Sequence, residues 1–392
     1  MIITQVHLQN WRNFKHADAT LRDVTYVLGP NASGKSNFLD VFRFLRDIAK
    51  PTGGGLQKAV SDRGSLKKLR CLHARRPPEL GMEIHVSNSS DEPNPIWKYK
   101  LYMTTESKGA HRLVITNETV IRVTPDGKEQ IVISRPDKND RADSERLTQT
   151  ALEQIQANAD FRELAEFFAN TTYLHVVPQL LKFGDIIGGR KLEDDPFGQG
   201  FLERIARTPD STRERRLRKI ETALKQVIPQ VEQLNFVRDS SNGAPHLAVK
   251  YMHHRPGGSL QQEDQFSDGT LRLIALFWLL LDGTSMLLLE EPELSLNEEI
   301  VAELPRLIEK VQRSTKKKRQ IVITTHSRAL LDNAGIDGRS LLVLSPSSEG
   351  TKIDGPRESE VEAMKSGFSP AEVVLPRAQR VSPTKHQMDL FL

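Results

Sequence analysis

Cysteine is almost missing from this chain: Cys71 is the only one in 392 residues. A single thiol excludes an internal disulfide and a cysteine zinc site, and points to a reducing, cytoplasmic compartment. Long hydrophobic runs are lacking as well. The most apolar window, Leu271 to Leu281, is interrupted by Arg272 and is far shorter than the roughly 20 residues of a membrane-spanning helix, so it predicts a buried helix and no membrane partner. The first residues, MIITQVHLQNW, carry neither a basic start nor a long apolar core, and predict no secretory signal. Neither sign of charge dominates. Lys+Arg number 55 against 51 Asp+Glu, and the resulting +4 excludes a uniformly basic nucleic-acid coat. Residues 50–265 show no sustained heptads and no Cys-x-x-Cys pair, which excludes long coiled-coil arms and a zinc-clamped tip. What remains, 38% apolar and 27% charged residues, is the composition of a folded protein with about two or three domains.

The first fifty residues alternate strand, turn, strand, loop and helix. Ile2 to Leu8 and Val24 to Leu28 are β-rich runs, and Ser36 to Ala49 sets Phe38, Leu39, Val41, Phe42, Leu45 and Ile48 at helical spacing. From Gly81 to Ile133 the apolar period is two, which predicts an antiparallel sheet. Beyond it the pattern predicts an exposed connection over 136–147, helices around 148–157 and 161–169, and a strand over Tyr173 to Val177. A charged, helix-rich stretch over 195–228 and a hairpin of Val231 to Arg238 with Leu247 to Met252 follow. From Phe266 helices alternate with apolar strands, the pattern of a parallel, helix-covered sheet, and from about Pro376 the chain reads as a loose tail.

The chemistry is concentrated in a few places. Gly29, Pro30, Asn31, Ala32, Ser33, Gly34, Lys35 and Ser36 form a full G-x-x-x-x-G-K-S between a predicted strand and a predicted helix. In that setting backbone N–H groups face phosphate oxygens, Lys35 supplies a cation to the β- and γ-phosphates, and the Ser36 hydroxyl ligates Mg²⁺. ATP with Mg²⁺ is therefore the expected ligand pair. A second signal is the apolar strand Met286 to Leu289 ending in Glu290 and Glu291. At such a strand end the first acid holds Mg²⁺ and the second orients or deprotonates water, roles that fall to Glu290 and Glu291. Upstream, Phe266-Ser267-Asp268-Gly269-Thr270 opens a helix whose free amides can meet an anion, though Ser267 also reads as a plain N-cap. Downstream, the strand Ile321 to Thr325 ends at His326, either a γ-phosphate contact or a structural histidine.

In this order and spacing the motifs resemble the ABC-type ATPase heads of the RecF/SMC-like group, including compact ATPases of anti-phage systems and the OLD family. The resemblance covers Ile2 to about Ala49 and about Gln265 to Leu344, and extends to the turn Asn10-Trp11-Arg12-Asn13-Phe14. It implies an α/β P-loop NTPase fold of ABC/RecF-like type, a two-lobed head with an antiparallel sheet in the N-lobe, a short helical arm and no long coiled coil. The implied boundaries are an N-lobe over 1–178, a helical arm over 179–264, a C-lobe over 265–356, and a C-terminal helix with a flexible tail over 357–392. It further implies that Asn37 adjoins the nucleotide and that Ser267 and Gly269 contact ATP held by a second copy. Glu291 becomes the catalytic base, His326 the switch histidine, and Gln179 a candidate for the Mg²⁺-sensing glutamine between lobes. A homodimer or higher homo-oligomer through ATP-sandwiched heads follows, with ATP hydrolysis gating a separately encoded effector, which a nuclease would suit. A RecF-like role at replication gaps and a transporter ATPase subunit are the alternatives. Two departures from the pattern stand out: Glu290 replaces the usual strand-end Asp, and Asn297 stands where many ABC heads have Asp.

Two further features concern partners. Arg204, Arg207, Arg213, Arg215, Arg216, Arg218 and Lys219, and separately Lys316 to Arg319, could follow DNA phosphates or form solvated faces. The final Gln387-Met388-Asp389-Leu390-Phe391-Leu392 resembles the short peptide that docks on the replication sliding clamp.

Overall fold

The computed structural model describes residues 1–74, 79–106, 111–187, 195, 197–252, 260–315 and 318–379, the side chains of 184–187 excepted. The chain begins with strands β1 (Ile2–Trp11), β2 (Phe14–Thr20) and β3 (Val24–Leu28), followed by helix α1 (Lys35–Ala49). Strands β4 (Leu80–Ser87), β5 (Trp97–Thr105), β6 (Leu113–Val123) and β7 (Glu129–Arg135) lead to α2 (Arg162–Ala169). After β8 (Thr172–Leu174) come the helices α3 (Pro178–Ile187), α4 (Phe201–Ala206) and α5 (Asp210–Val227). Strands β9 (Val231–Arg238), β10 (Pro245–Tyr251) and β11 (Leu260–Gln262) precede α6 (Asp268–Leu281), β12 (Leu287–Glu290) and α7 (Glu298–Arg313). Strands β13 (Ile321–Thr325), β14 (Leu341–Ser347) and β15 (Gly350–Asp354) and short C-terminal helices complete the described chain.

Two compact units share these elements. The first comprises Met1–Thr171, Gln320–His326 and Asp337–Leu392, the second Thr172–Arg319 and Ser327–Ile336. In the first unit an antiparallel sheet runs in the order β2-β1-β4-β5-β6-β7, and a second set of strands in the order β15-β14-β3-β13. Strand β3 pairs in parallel with both β13 and β14, whereas β15 is antiparallel to β14. In the second unit β12 and β8 pair in parallel, and β11-β10-β9 form an antiparallel sheet.

Period-two burial explains β5, where Trp97, Tyr99, Leu101 and Met103 face the core and the residues between them do not. Helix α1 buries Phe38, Leu39, Phe42, Leu45 and Ile48 on one stripe. Trp11 packs on Phe44 at 5.2 Å between ring centroids and Phe14 on Phe38 at 6.4 Å, which fastens the turn after β1 to this helix. Each such large apolar side chain contributes about 1.5–3 kcal/mol on burial. Helix α6 buries every residue from Leu271 to Leu280 except Arg272, so the most apolar window of the sequence is a core helix. No helix among the described residues is long and apolar enough to cross a membrane.

Several local expectations are corrected. Strand β2 (FKHADAT) carries its alternation on Phe14, Ala17 and Ala19, too small a contrast to register as a strand in the sequence. Residues 149–158 contain turns rather than a helix: Gln154 N–H bonds the Ala151 carbonyl and Asn158 N–H the Gln154 carbonyl, while the Glu118 carboxylate accepts the N–H groups of Ala151 and Leu152. The strand expected over 173–177 stops at Leu174, and Pro178 opens α3. The connection 136–147 is not simply exposed. It holds the short helix Lys138–Ala142, whose buried Asp140 accepts both Nε and Nη2 of Arg135 at 2.9 and 3.0 Å. Leu375–Ala378 is helical where a loose tail was expected.

Candidate functional site

The residues singled out in the sequence fall into two groups, one in each unit. In the first unit the glycine loop joins β3 to α1. Ala32 and Gly34 adopt left-handed φ values of 62° and 99°, and alternation of this kind turns successive amides toward one concavity, a nest suited to an anion. Gly34 cannot be replaced without strain, because a Cβ there would lie 2.1 Å from Asn13 Nδ2 as well as at positive φ. Lys35 is buried, and its Nζ donates to the carbonyls of Gly29 at 3.0 Å and Pro30 at 3.3 Å, so the cation is held inside the loop. The Ser33 hydroxyl is fully buried without a hydrogen-bond partner, whereas Ser36 is exposed at the start of α1. The nest, the enclosed cation and an unsatisfied hydroxyl fit a polyphosphate.

The loop is braced from elsewhere in the unit. Asn13 Nδ2 donates to the Ser33 carbonyl at 2.9 Å and to Thr351 Oγ1 at 2.6 Å, and Thr351 Oγ1 donates to the same carbonyl at 3.0 Å. Asn37, expected beside the nucleotide, directs its Nδ2 to Asn13 Oδ1 at 2.9 Å, and its carbonyl accepts from Trp11 Nε1. Arg12 in the same turn pairs with Asp40 of α1 at 2.9 Å, and Arg63 pairs with the opposite oxygen. These guanidinium groups hold the Asp40 carboxyl below its ordinary range despite burial. His326 is exposed directly after β13, whose Thr325 pairs with Leu28 of β3, so the histidine and the glycine loop leave neighbouring strands at the same end.

The second group lies on β12 and α6. Glu290 closes β12 and accepts a hydrogen bond from the Tyr173 hydroxyl of β8, the strand beside it. Glu291 follows in a left-handed conformation, φ 43°, which turns the chain sharply away from the strand. A non-glycine residue held there costs roughly 1–2 kcal/mol, a strain of the kind stored at functional turns. Ser267 is the N-cap of α6: its Oγ accepts the Thr270 N–H at 3.1 Å. A Cβ on Gly269 would lie 3.0 Å from the Ser295 carbonyl and 3.2 Å from Leu296, so the glycine admits the segment that follows the acidic strand end. Asn297 in that segment caps α7 through Oδ1 to the Ile300 N–H at 2.8 Å, the role that asparagine fills well.

Gln179 donates Nε2 to Asp268 Oδ2 at 3.0 Å, and Lys182 donates to Oδ1 at 2.8 Å. The candidate glutamine thus bears on the first residue of α6. Arg272, an interruption of an apolar window in the sequence, lines a small cavity with Leu174, Leu289 and Glu290. Burial depresses its pKa, and its Nε is buried without a partner. Only the pairing of α6 with β12 could reveal it.

The basic clusters are largely structural. Arg319 is 2% exposed and donates to the carbonyls of Ser285, Leu279, Asp282 and Met286 and to Thr172 Oγ1, which removes it from any exposed patch. Arg204 and Arg216 both bind Asp282, at 2.7 and 2.9 Å, and Arg213 lies 4.2 Å over the Phe236 ring. Lys316 and Lys317, and the clamp-like peptide Gln387 to Leu392, lie outside the described residues.

Comparison with known proteins gives the family and the fold. The family model described as "AAA domain, putative AbiEii toxin, Type IV TA system" matches residues 24–332, well over half of the chain. A DNA replication and repair protein RecF from Roseiflexus castenholzii is 29% identical over 104 residues, covering 24% of this chain and 26% of that protein. The match therefore spans about a quarter of the curated relative. Among solved structures, an SMC head bound to the C-terminal winged-helix domain of ScpA aligns with a TM-score of 0.54 at 13% identity, over 92% of this chain and 99% of that one, a likeness of fold. With the glycine loop braced in one unit and an acidic strand end and the N-capped helix α6 in the other, the chain belongs to this AAA-domain family and is a RecF/SMC-like ABC-type ATPase.

Proposed function

We propose that the protein is a nucleotide-gated dimeric switch: ATP closes two copies, hydrolysis opens them, and the cycle controls a separately encoded effector of a bacterial anti-phage defence system. The left-handed Glu291 directly after the Tyr173-bonded Glu290 carries this reading, since the backbone turn falls between two successive acids at one strand end. In the first unit Lys35 and the loop amides bind the phosphates and Ser36 would ligate Mg²⁺; in the second, Glu290 would serve as a metal-holding acid, and the ion would neutralise phosphate charge. Glu291 accepts the proton of the attacking water, and His326 contacts the terminal phosphate. Ser267 and Gly269 meet the nucleotide of the second copy, and Gln179 with Lys182 reports on its presence by holding Asp268 at the head of the signature helix. The family description names a toxin–antitoxin system, which supports a defence role with a toxic partner. The RecF similarity favours DNA repair as the alternative, and copurification distinguishes them: a toxic effector in the first case, replication proteins in the second.

Ser267→Arg tests the dimer. The variant is expected to bind nucleotide as a monomer yet to show no ATP-dependent shift on size-exclusion chromatography. A shift equal to that of the wild type removes Ser267 from the interface. Tyr173→Phe tests the orientation of Glu290. Loss of a hydrogen bond to a charged group, about 1.5–3 kcal/mol, is expected to raise the Mg²⁺ concentration for half-maximal hydrolysis about tenfold or more. An unchanged Mg²⁺ dependence refutes the assignment.

A further inference from the structure

Helix α6 opens on a pair of hydroxyls that capping alone does not need. Ser267, the N-cap, accepts the Thr270 N–H on its Oγ at 3.1 Å, and that single bond is the ordinary task of a capping serine. A second bond joins Ser267 Oγ to Thr270 Oγ1 at 2.8 Å. Ser267 is exposed and Thr270 is only 4% exposed, so the pair joins the surface to the interior. Thr270 has a further hydroxyl partner in Tyr251, the last residue of β10. Burial raises the pKa of that phenol above its ordinary value, so it is protonated at neutral pH.

Two arrangements of protons satisfy the Ser267–Thr270 bond, and they differ in what reaches solvent. If Ser267 donates, its proton is spent inward and the exposed oxygen offers only a lone pair. If Thr270 donates, both lone pairs of Ser267 Oγ are filled, one by the Thr270 N–H and one by the Thr270 hydroxyl, and the Ser267 proton is left for an outside acceptor. Tyr251 selects the second arrangement. A phenol is more acidic than an aliphatic alcohol and is the better donor, so Tyr251 donates to Thr270 Oγ1 and the Thr270 proton turns to Ser267. Donation along such a chain of hydroxyls strengthens each bond in turn.

We infer that Thr270, backed by Tyr251, is a positioning residue that holds Ser267 as a hydrogen-bond donor toward a phosphate oxygen. The inference rests on the reading of Ser267 as a contact to the nucleotide of a second copy, and adds the group that sets its proton. A hydroxyl with both lone pairs occupied turns only its positive end to the phosphate, where a donor to an ionised acceptor makes the stronger kind of hydrogen bond. Valine at position 270 keeps the β-branched shape and the capping N–H but removes the second bond, and Ser267 then turns a lone pair outward as readily as its proton.

The test is a double-mutant cycle on the full chain, read as the ATP concentration, with Mg²⁺ present, that gives half-maximal dimer by light scattering. Ser267→Gly removes the hydroxyl while glycine still serves as an N-cap. Thr270→Val is expected to raise that concentration about three- to tenfold, Thr270→Ser to restore it, and Tyr251→Phe to move it in the same direction by less. In the Ser267→Gly background Thr270→Val is expected to add nothing, because its effect passes through Ser267. A merely structural role for Thr270 would give the same shift in both backgrounds. Nucleotide binding by the monomer, which belongs to the glycine loop of the first unit, checks that each variant is folded. Wild-type closure by Thr270→Val, or a shift of equal size in both backgrounds, overturns the inference and leaves the reading of Ser267 standing. Wild-type closure by Ser267→Gly overturns that reading and the inference with it.

Discussion

Lys35→Ala is expected to abolish nucleotide binding while the protein remains folded. The Lys35 ammonium is enclosed by the glycine loop, between the carbonyls of Gly29 and Pro30, and the proposed function sets the phosphates against it. Truncation leaves those carbonyls facing the phosphates with no cation between them, which both deletes an attraction and adds a repulsion. A hydrogen bond to a charged group contributes about 1.5–3 kcal/mol, and the added repulsion carries the expected loss in ATP affinity to about 100-fold or more. Titration calorimetry with ATP and Mg²⁺ measures it. The loop itself should persist, because Asn13 and Thr351 hold the Ser33 carbonyl independently of Lys35. A folded variant that binds ATP as tightly as the wild type would remove the glycine loop from the nucleotide site.

Glu291→Gln is expected to separate binding from hydrolysis. Glutamine preserves the size of the side chain and tolerates the same backbone, so the turn at φ 43° and the neighbouring Glu290–Tyr173 hydrogen bond should survive. What disappears is the ability to take a proton. Loss of a positioned general base slows turnover by about 10²–10⁴-fold, and the ATP-bound dimer should then accumulate on size-exclusion chromatography. Glu291→Gly supplies the control for strain, since glycine relaxes the left-handed backbone and also lacks the carboxylate. Equal inactivity of both variants assigns the effect to the base. Wild-type hydrolysis by Glu291→Gln would show that another group receives the proton.

Much of the site was legible because its parts are contiguous. A glycine loop between a strand and a helix needs particular residues at particular positions, and Gly34 illustrates why: its φ and the nearness of Asn13 both forbid a side chain. The acidic end of β12 and the capped start of α6 are likewise local events, written in neighbouring residues. The Glu290–Tyr173 bond was not legible. It arises from strand pairing between residues 117 apart, and nothing at Tyr173 distinguishes it from any aromatic residue on a buried strand. Arg272 was hidden in a different way, as a single charge in an otherwise apolar helix, given meaning by the strand packed against it. Strand β2 escaped because its buried residues, Phe14, Ala17 and Ala19, do not keep a strict period of two.

By itself the sequence determined the ATPase class, since a phosphate nest and a strand-end acid pair are made by short segments whose backbone conformation their own residues dictate. Only the tertiary structure decided what the charged residues do. Lys318 and Arg319 are adjacent and equally basic, yet Lys318 is exposed and Arg319 is buried against the carbonyl end of α6. The nearly neutral balance of charge in the sequence could not distinguish these two situations. A guanidinium group becomes a structural cap when backbone carbonyls from distant segments converge around it, and it stays exposed, as at Arg215, where the described residues form no hydrogen bond or ion pair with it.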